Sequence, residues 1–156
     1  MVNLTEFYRD KRVFVTGHTG FKGSWLIFWL HRAGAKVCGY ALEPSKDSLY
    51  RYIDGDKLCD SHIGHVADFN CLRKAIDDFL PEIVIHLAAQ PIVRESYRAP
   101  RETYLSNVMG TVNLLECVRL NPCVRSVLNV TTDKVYENRE WEWGYRETDA
   151  LDGYDP

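Results

Sequence analysis

Val13-Phe14-Val15-Thr16-Gly17-His18-Thr19-Gly20-Phe21-Lys22-Gly23 joins an apolar strand pattern to a helical one through three glycines. Glycine recurs at every third position, 17, 20 and 23, directly after a β-branched apolar run and directly before Ser24-Trp25-Leu26-Ile27-Phe28-Trp29-Leu30. A strand, a tight glycine turn and a helix in that order gather unpaired backbone N–H groups and the positive end of the helix dipole at one point, which suits a pyrophosphate. Glycine is needed because a Cβ would obstruct the turn, the approach of the anion or the packing of helix on strand. The spacing alone is a weak sign. Its weight comes from its place as the first strand-to-helix junction of a repeated βαβ pattern. His18 and Lys22, inside the turn, are further candidates for touching phosphate, with plain exposure the competing reading for each.

Working outward, short apolar runs alternate with helical patterns, the sequence form of a parallel sheet covered on both faces. Strands are predicted at 12–16, 36–41, 61–66, 82–87 and 125–131. Helices are predicted at 20–33, 68–79 and 100–120, with a short one near 49–53 in the polar connector. In the first helix, Phe21, Trp25 and Trp29 recur beside Leu26 and Leu30 as one apolar face, and Gly34 is its expected stop. Asp68 is the expected N-cap of the second, with Pro81 closing it. Pro100 opens the third, whose apolar positions are Tyr104, Val108, Val112, Leu115 and Val118. From 137 onward, charged residues and aromatics such as Trp141, Trp143, Tyr145 and Tyr154 show no periodicity and read as a long loop, a form usually kept for function.

The chain has 156 residues, 46% hydrophobic and 26% charged, with a formal charge of -3, as expected of one globular domain without a nucleic-acid surface. The five cysteines fall in no metal-ligand spacing, and the polar first residues are not a signal peptide, so reduced thiols and a cytoplasmic location are expected. No apolar run approaches the roughly 20 residues of a membrane span. A small-molecule partner is the remaining expectation. An acid that would hold an adenosine ribose belongs near the end of the second strand, where Glu43 is the first one; Ser45 or Lys46 would instead meet the 2′-phosphate of NADP.

The glycine turn with Phe21, then His86-Leu87-Ala88-Ala89-Gln90-Pro91, Asn107-Val108-Met109-Gly110-Thr111, and "NVTTDKVYEN" at 129–138 together resemble the extended short-chain dehydrogenases. Within them, these stretches and "WGYRETDALDGYDP" at 143–156 look like the CDP-glucose 4,6-dehydratases. The resemblance implies an α/β, Rossmann-type doubly wound parallel sheet over residues 1–156 that binds NAD, with NADP not excluded. It places Gly17, Thr19, Gly20, Phe21, Gly23, Val66, Leu87, Ala88, Ala89, Gln90, Asn107 and Thr131 beside the cofactor. It also implies a nucleotide-sugar substrate, CDP-glucose, and a homodimer through the long helix and the one after it.

For catalysis the resemblance implies Thr132, Asp133 and Lys134. The sugar is oxidised at C4 as hydride passes to the nicotinamide, the ketone acidifies the C5 proton, water leaves across C5 and C6, and hydride returns to C6. Thr132 would hydrogen-bond O4, Asp133 would protonate the departing hydroxyl, and Lys134, as the neutral amine, would take the C5 proton.

Two departures from that family qualify the resemblance. His65-Val66 stands where the family carries an acid-apolar pair for the adenine. The family's Tyr-x-x-x-Lys, which follows "GYDP" and supplies the C4 base, does not occur before the sequence ends at Pro156. The chain is therefore expected to be an N-terminal part, inactive by itself, lacking the last strands and the sugar-binding domain. Two other readings stay open: a neighbouring nucleotide-sugar epimerase or dehydratase, and a dinucleotide-binding module without chemistry.

Overall fold

The computed structural model describes residues 3–132 and 134–152. Its centre is β1 (Arg12–Thr16), where Val13, Phe14, Val15 and Thr16 are all closed to solvent. Such a strand must be covered on both faces, and the chain supplies the covers in turn. After α1 (Leu4–Tyr8) and β1 come α2 (Phe21–Arg32), β2 (Lys36–Ala41), α3 (Leu49–Tyr52), β3 (Asp60–Ile63) and α4 (Phe69–Phe79). The second half adds β4 (Ile83–His86), α5 (Val93–Arg98), α6 (Pro100–Tyr104), α7 (Gly110–Leu120) and β5 (Ser126–Asn129). The five strands are parallel, in the order β3-β2-β1-β4-β5. One face packs Phe14, Tyr40 and Val84 against Leu72 and Ile76 of α4 and Leu114 of α7; the other packs Val13, Val15, Val37 and Ile85 against Ile27 and Leu30 of α2. This is the doubly wound parallel sheet expected from the alternation.

The strand cores are where expected, but β3, β4 and β5 are shorter than the predicted 61–66, 82–87 and 125–131. Asp68 caps α4 by accepting from the Cys71 N–H at 3.0 Å, and Gly34 follows α2 with φ +79, as its stop role requires. α1 and α5 are helices that the periodicity did not reveal.

The apolar face assigned to the first helix is corrected in part: Leu30 is buried and Leu26 packs against the core as expected, but the aromatic members of that face point outward. Gly23, Ser24, Ile27 and Leu30 are the buried residues of α2, while Phe21 and Trp25 are 71% and 54% exposed. The glycine sets this phase: a Cβ on Gly23 would run into the Gly17 carbonyl, so the helix must turn its Gly23 side to β1 and its aromatics outward. The predicted helix over 100–120 is also not one α-helix. Between α6 and α7 lies a π-helical turn, Leu105–Met109, closed by the Gly110 N–H on the Leu105 carbonyl. Such insertions rotate one residue out of the ladder and commonly mark functional sites. Here the turn carries Asn107, and Gly110 after it lies against Val66, whose side chain a Cβ would strike.

Candidate cofactor and substrate site

The chain leaves β1 toward β2 and β3, then restarts at β4 and runs to β5 on the other side. The loops after β1 and β4 therefore diverge at the carboxyl ends of two neighbouring strands, the crevice where open α/β sheets hold ligands. Gly17, with φ +73, begins the loop after β1, and a Cβ there would sit 2.9 Å from the Ala88 N in the loop after β4. Its N–H donates to the Tyr40 carbonyl at 2.9 Å, and the Gly20 N–H returns to the Gly17 carbonyl at 3.1 Å. Gly20 caps α2 without any side-chain bond. The first intrahelical bond, Ser24 N–H to the Gly20 carbonyl at 2.8 Å, leaves the N–H groups of Phe21, Lys22 and Gly23 outside the ladder at the positive helix end. A turn that glycine at 17 and 23 lets pack this closely on the β4 exit and on the helix, ending in three such N–H groups, fits a dinucleotide's pyrophosphate.

Beneath the cradle runs a buried polar chain. The Thr16 Oγ1 accepts from the Leu87 and Ala88 N–H groups, each at 3.1 Å, and lies 2.6 Å from the His86 Nδ1. With both lone pairs engaged, the hydroxyl proton must go to Nδ1. The His86 Nε2–H then donates to the Thr111 Oγ1 at 3.2 Å, and Thr111 donates to the Asn107 carbonyl at 2.7 Å. The assignment makes His86 neutral, and burial lowers its pKa in the same sense. The chain ties β1, the β4 exit and the π turn into one floor.

The Asn107 carboxamide closes that floor: it accepts from the Gln90 N–H at 2.7 Å and donates to the Gln90 carbonyl at 3.1 Å. The Gln90 side chain in turn donates to Thr103 at 3.1 Å and accepts from the Ile92 N–H at 2.6 Å. Leu87, Ala88, Ala89 and Gln90 are thereby held opposite the glycine turn, with Ala89 exposed. Thr19 spends its hydroxyl on the Leu42 carbonyl at 2.9 Å. Val66 is buried in the core. His65 accepts from the Ala67 N–H at 3.0 Å through Nδ1 and reaches Ser106 of the π turn at 3.1 Å through Nε2. Glu43 is paired with Arg51 at 2.7 Å.

His18 does not face the crevice, contrary to the phosphate contact considered for it. It is closed to solvent, 2.8 Å from the Ser61 Oγ and edge-on to Tyr50, in space opened by the absent side chain of Gly39. Lys22 is exposed. Beyond β5, Thr131, Thr132 and Lys134 are exposed at the carboxyl edge of the sheet, with the Lys134 N–H on the Thr132 Oγ1 at 3.2 Å. Asp133 lies outside the described residues. Thr16, His86, Thr111 and Ser106 were missed as site residues. The first two carried a signal, since "VFVT" and "IVIH" each end an apolar strand on a polar residue at its carboxyl end.

The sequence model of the GDP-mannose 4,6 dehydratase family matches residues 14–156. The chain belongs to the GDP-mannose 4,6 dehydratase family. Among this family's relatives, the CDP-glucose 4,6-dehydratase of Salmonella typhimurium is 57% identical over 151 residues, 96% of this chain and 42% of that protein. The epimerase Mth375 of Methanothermobacter thermautotrophicus superimposes with a TM-score of 0.80 at 26% identity, over 93% of this chain and 42% of that one. UDP-glucose 4-epimerase from Brucella ovis, solved in complex with NAD, gives 0.74 at 26% identity over 91% and 42%. The chain thus spans well under half the length of these relatives.

Proposed function

We propose that this chain is the NAD-holding part of a CDP-glucose 4,6-dehydratase. The carrying observation is the 57% identity with the Salmonella typhimurium enzyme along 96% of the chain. Because the chain corresponds to 42% of that enzyme, the activity is assigned to a protein of the relatives' length, with the remaining strands, a Tyr-x-x-x-Lys helix and the sugar-binding domain supplied by its other residues. In this reading residues 1–156 bind the cofactor but do not turn over the sugar by themselves.

Bound NAD would supply the electron acceptor for oxidation at C4. The glycine turn and the N–H groups of Phe21, Lys22 and Gly23 would hold its pyrophosphate. NAD rather than NADP is favoured by the NAD complex of the Brucella ovis relative and by Glu43, an acid placed just after β2. The floor of Leu87, Ala88, Ala89 and Gln90, fixed by Thr16 and Asn107, would orient the nicotinamide half, with Thr131 at its far edge. Thr132 would hydrogen-bond the sugar O4, Asp133 would protonate the leaving C6 hydroxyl, and Lys134 would accept the C5 proton. The exposed stripe Tyr104, Val108, Val112 and Leu115, running over α6, the π turn and α7, supports a homodimer through that face. A cytoplasmic location fits the free cysteines and the absence, among the described residues, of any helix long and apolar enough to cross a membrane.

The test is product formation by the full-length protein. CDP-glucose with NAD should yield a 4-keto-6-deoxy sugar nucleotide, detected as the loss of one water by mass spectrometry. Turnover of UDP-glucose or GDP-mannose, with CDP-glucose left intact, would move the assignment to a neighbouring branch. NAD binding without turnover of any sugar nucleotide would favour a module without chemistry.

A further inference from the structure

Cys38, Asp60 and His62, none of them assigned to cofactor or sugar, bring three different donor atoms to one place at the edge strand β3. β2 and β3 pair in parallel with Cys38 opposite Asp60 and Tyr40 opposite His62, so strand alternation puts all three side chains on one face. β3 is the last strand on that side. The thiol is closed to solvent, whereas the Asp60 and His62 side chains reach it.

One donor atom from each residue lies within 4.8 Å of the other two, and the His62 Nε2 is 3.3 Å from the Asp60 Oδ2. Two nitrogen or oxygen ligands bound at about 2.0 Å to a tetrahedral zinc ion stand about 3.3 Å apart. Thiolate, imidazole and carboxylate together are a donor set that zinc accepts, with water in the fourth place. The strand ladder fixes all three backbone positions, so the ligands need little ordering on binding.

The Cys38 thiol belongs to the buried core with Phe14 and Tyr40, so a cation held there would join the core side of β2 to the open edge strand β3.

We propose that Cys38, Asp60 and His62 form a site for a zinc-class divalent cation that clips the edge strand β3 to β2. Cobalt(II) added to the metal-free chain tests it. The expected result is one equivalent bound with tetrahedral visible bands and a thiolate-to-cobalt charge-transfer band, displaced by zinc. Cys38→Ser should abolish the charge-transfer band, Asp60→Asn and His62→Gln should each weaken binding at least tenfold, and Cys71→Ser should leave it unchanged. Asp60 and His62 are open to solvent, so their variants remain informative even where Cys38→Ser fails to fold. Absence of the charge-transfer band, its loss on Cys71→Ser, or binding unaffected by both Asp60→Asn and His62→Gln would overturn the site.

Discussion

Gly17 carries two constraints at once: a left-handed backbone with φ +73, and an approach to the β4 exit that leaves a Cβ 2.9 Å from the Ala88 N. Gly17→Ala is therefore expected to cost about 1–3 kcal/mol in urea unfolding and to weaken NAD at least tenfold in calorimetry. Thr16→Val keeps the shape but strips the acceptor from the Ala88 N–H and the donor from the His86 Nδ1, while the Leu87 N–H keeps the Thr16 carbonyl at 3.3 Å. With each of these two groups left unpaired costing about 1–3 kcal/mol, a loss of about 2–6 kcal/mol is expected, against nearly none for an isolated surface threonine. His18 gives a pH signature. Burial holds its pKa down to about 4, from 6.5 in an exposed chain. Between those values the unfolded chain takes up a proton that the folded chain refuses, so stability falls as pH drops through this window, by up to about 3 kcal/mol. Burial of His86 acts in the same direction. Urea midpoints measured from pH 7.5 down should decline below roughly pH 6.5, less steeply in His18→Gln.

Among the elements, α2 shows best what could be read from sequence and what could not. Its start at the glycine turn and its end at Gly34 were legible, because both are local backbone demands. Its buried face was not: periodicity found the aromatic stripe, but the contact of Gly23 with the Gly17 carbonyl, a tertiary fact, chooses the opposite side. Ile27→Ala should accordingly cost about 2–5 kcal/mol, while Trp25→Ser should cost under about 1 kcal/mol, an order that thermal unfolding would reverse if the aromatic face were the buried one. The π turn at Leu105–Met109 was illegible for a related reason: it interrupts no apolar spacing, and the Gln90 N–H bond that Asn107 accepts within it joins positions far apart in sequence. The strand–turn–helix of the glycine turn was legible, but the inward turn of His18 into the space beside Gly39 was not. The floor of the site was read only as a row of small residues, because the Thr16–His86–Thr111 chain joins positions far apart in sequence.

For the whole molecule, the sheet order places the glycine turn and the β4 exit at the switch point, with β5 carrying Thr132 one strand further on. β5 is exposed along its length, as are Tyr104, Val108, Val112 and Leu115 on the long helix. If the proposed homodimer forms through this stripe in the full-length protein, Val112→Glu shifts sedimentation from dimer toward monomer; an unchanged sedimentation coefficient would contradict a dimer through it. In the proposed function the amino end of α2 grips the cofactor, and a crystal structure of the NAD complex would show whether it does. Pyrophosphate oxygens are expected within hydrogen-bond distance of the Phe21 and Lys22 N–H groups, with the nicotinamide over Ala88 and facing Thr132. A pyrophosphate bound away from the glycine turn, or a nicotinamide turned from Thr132, would contradict it.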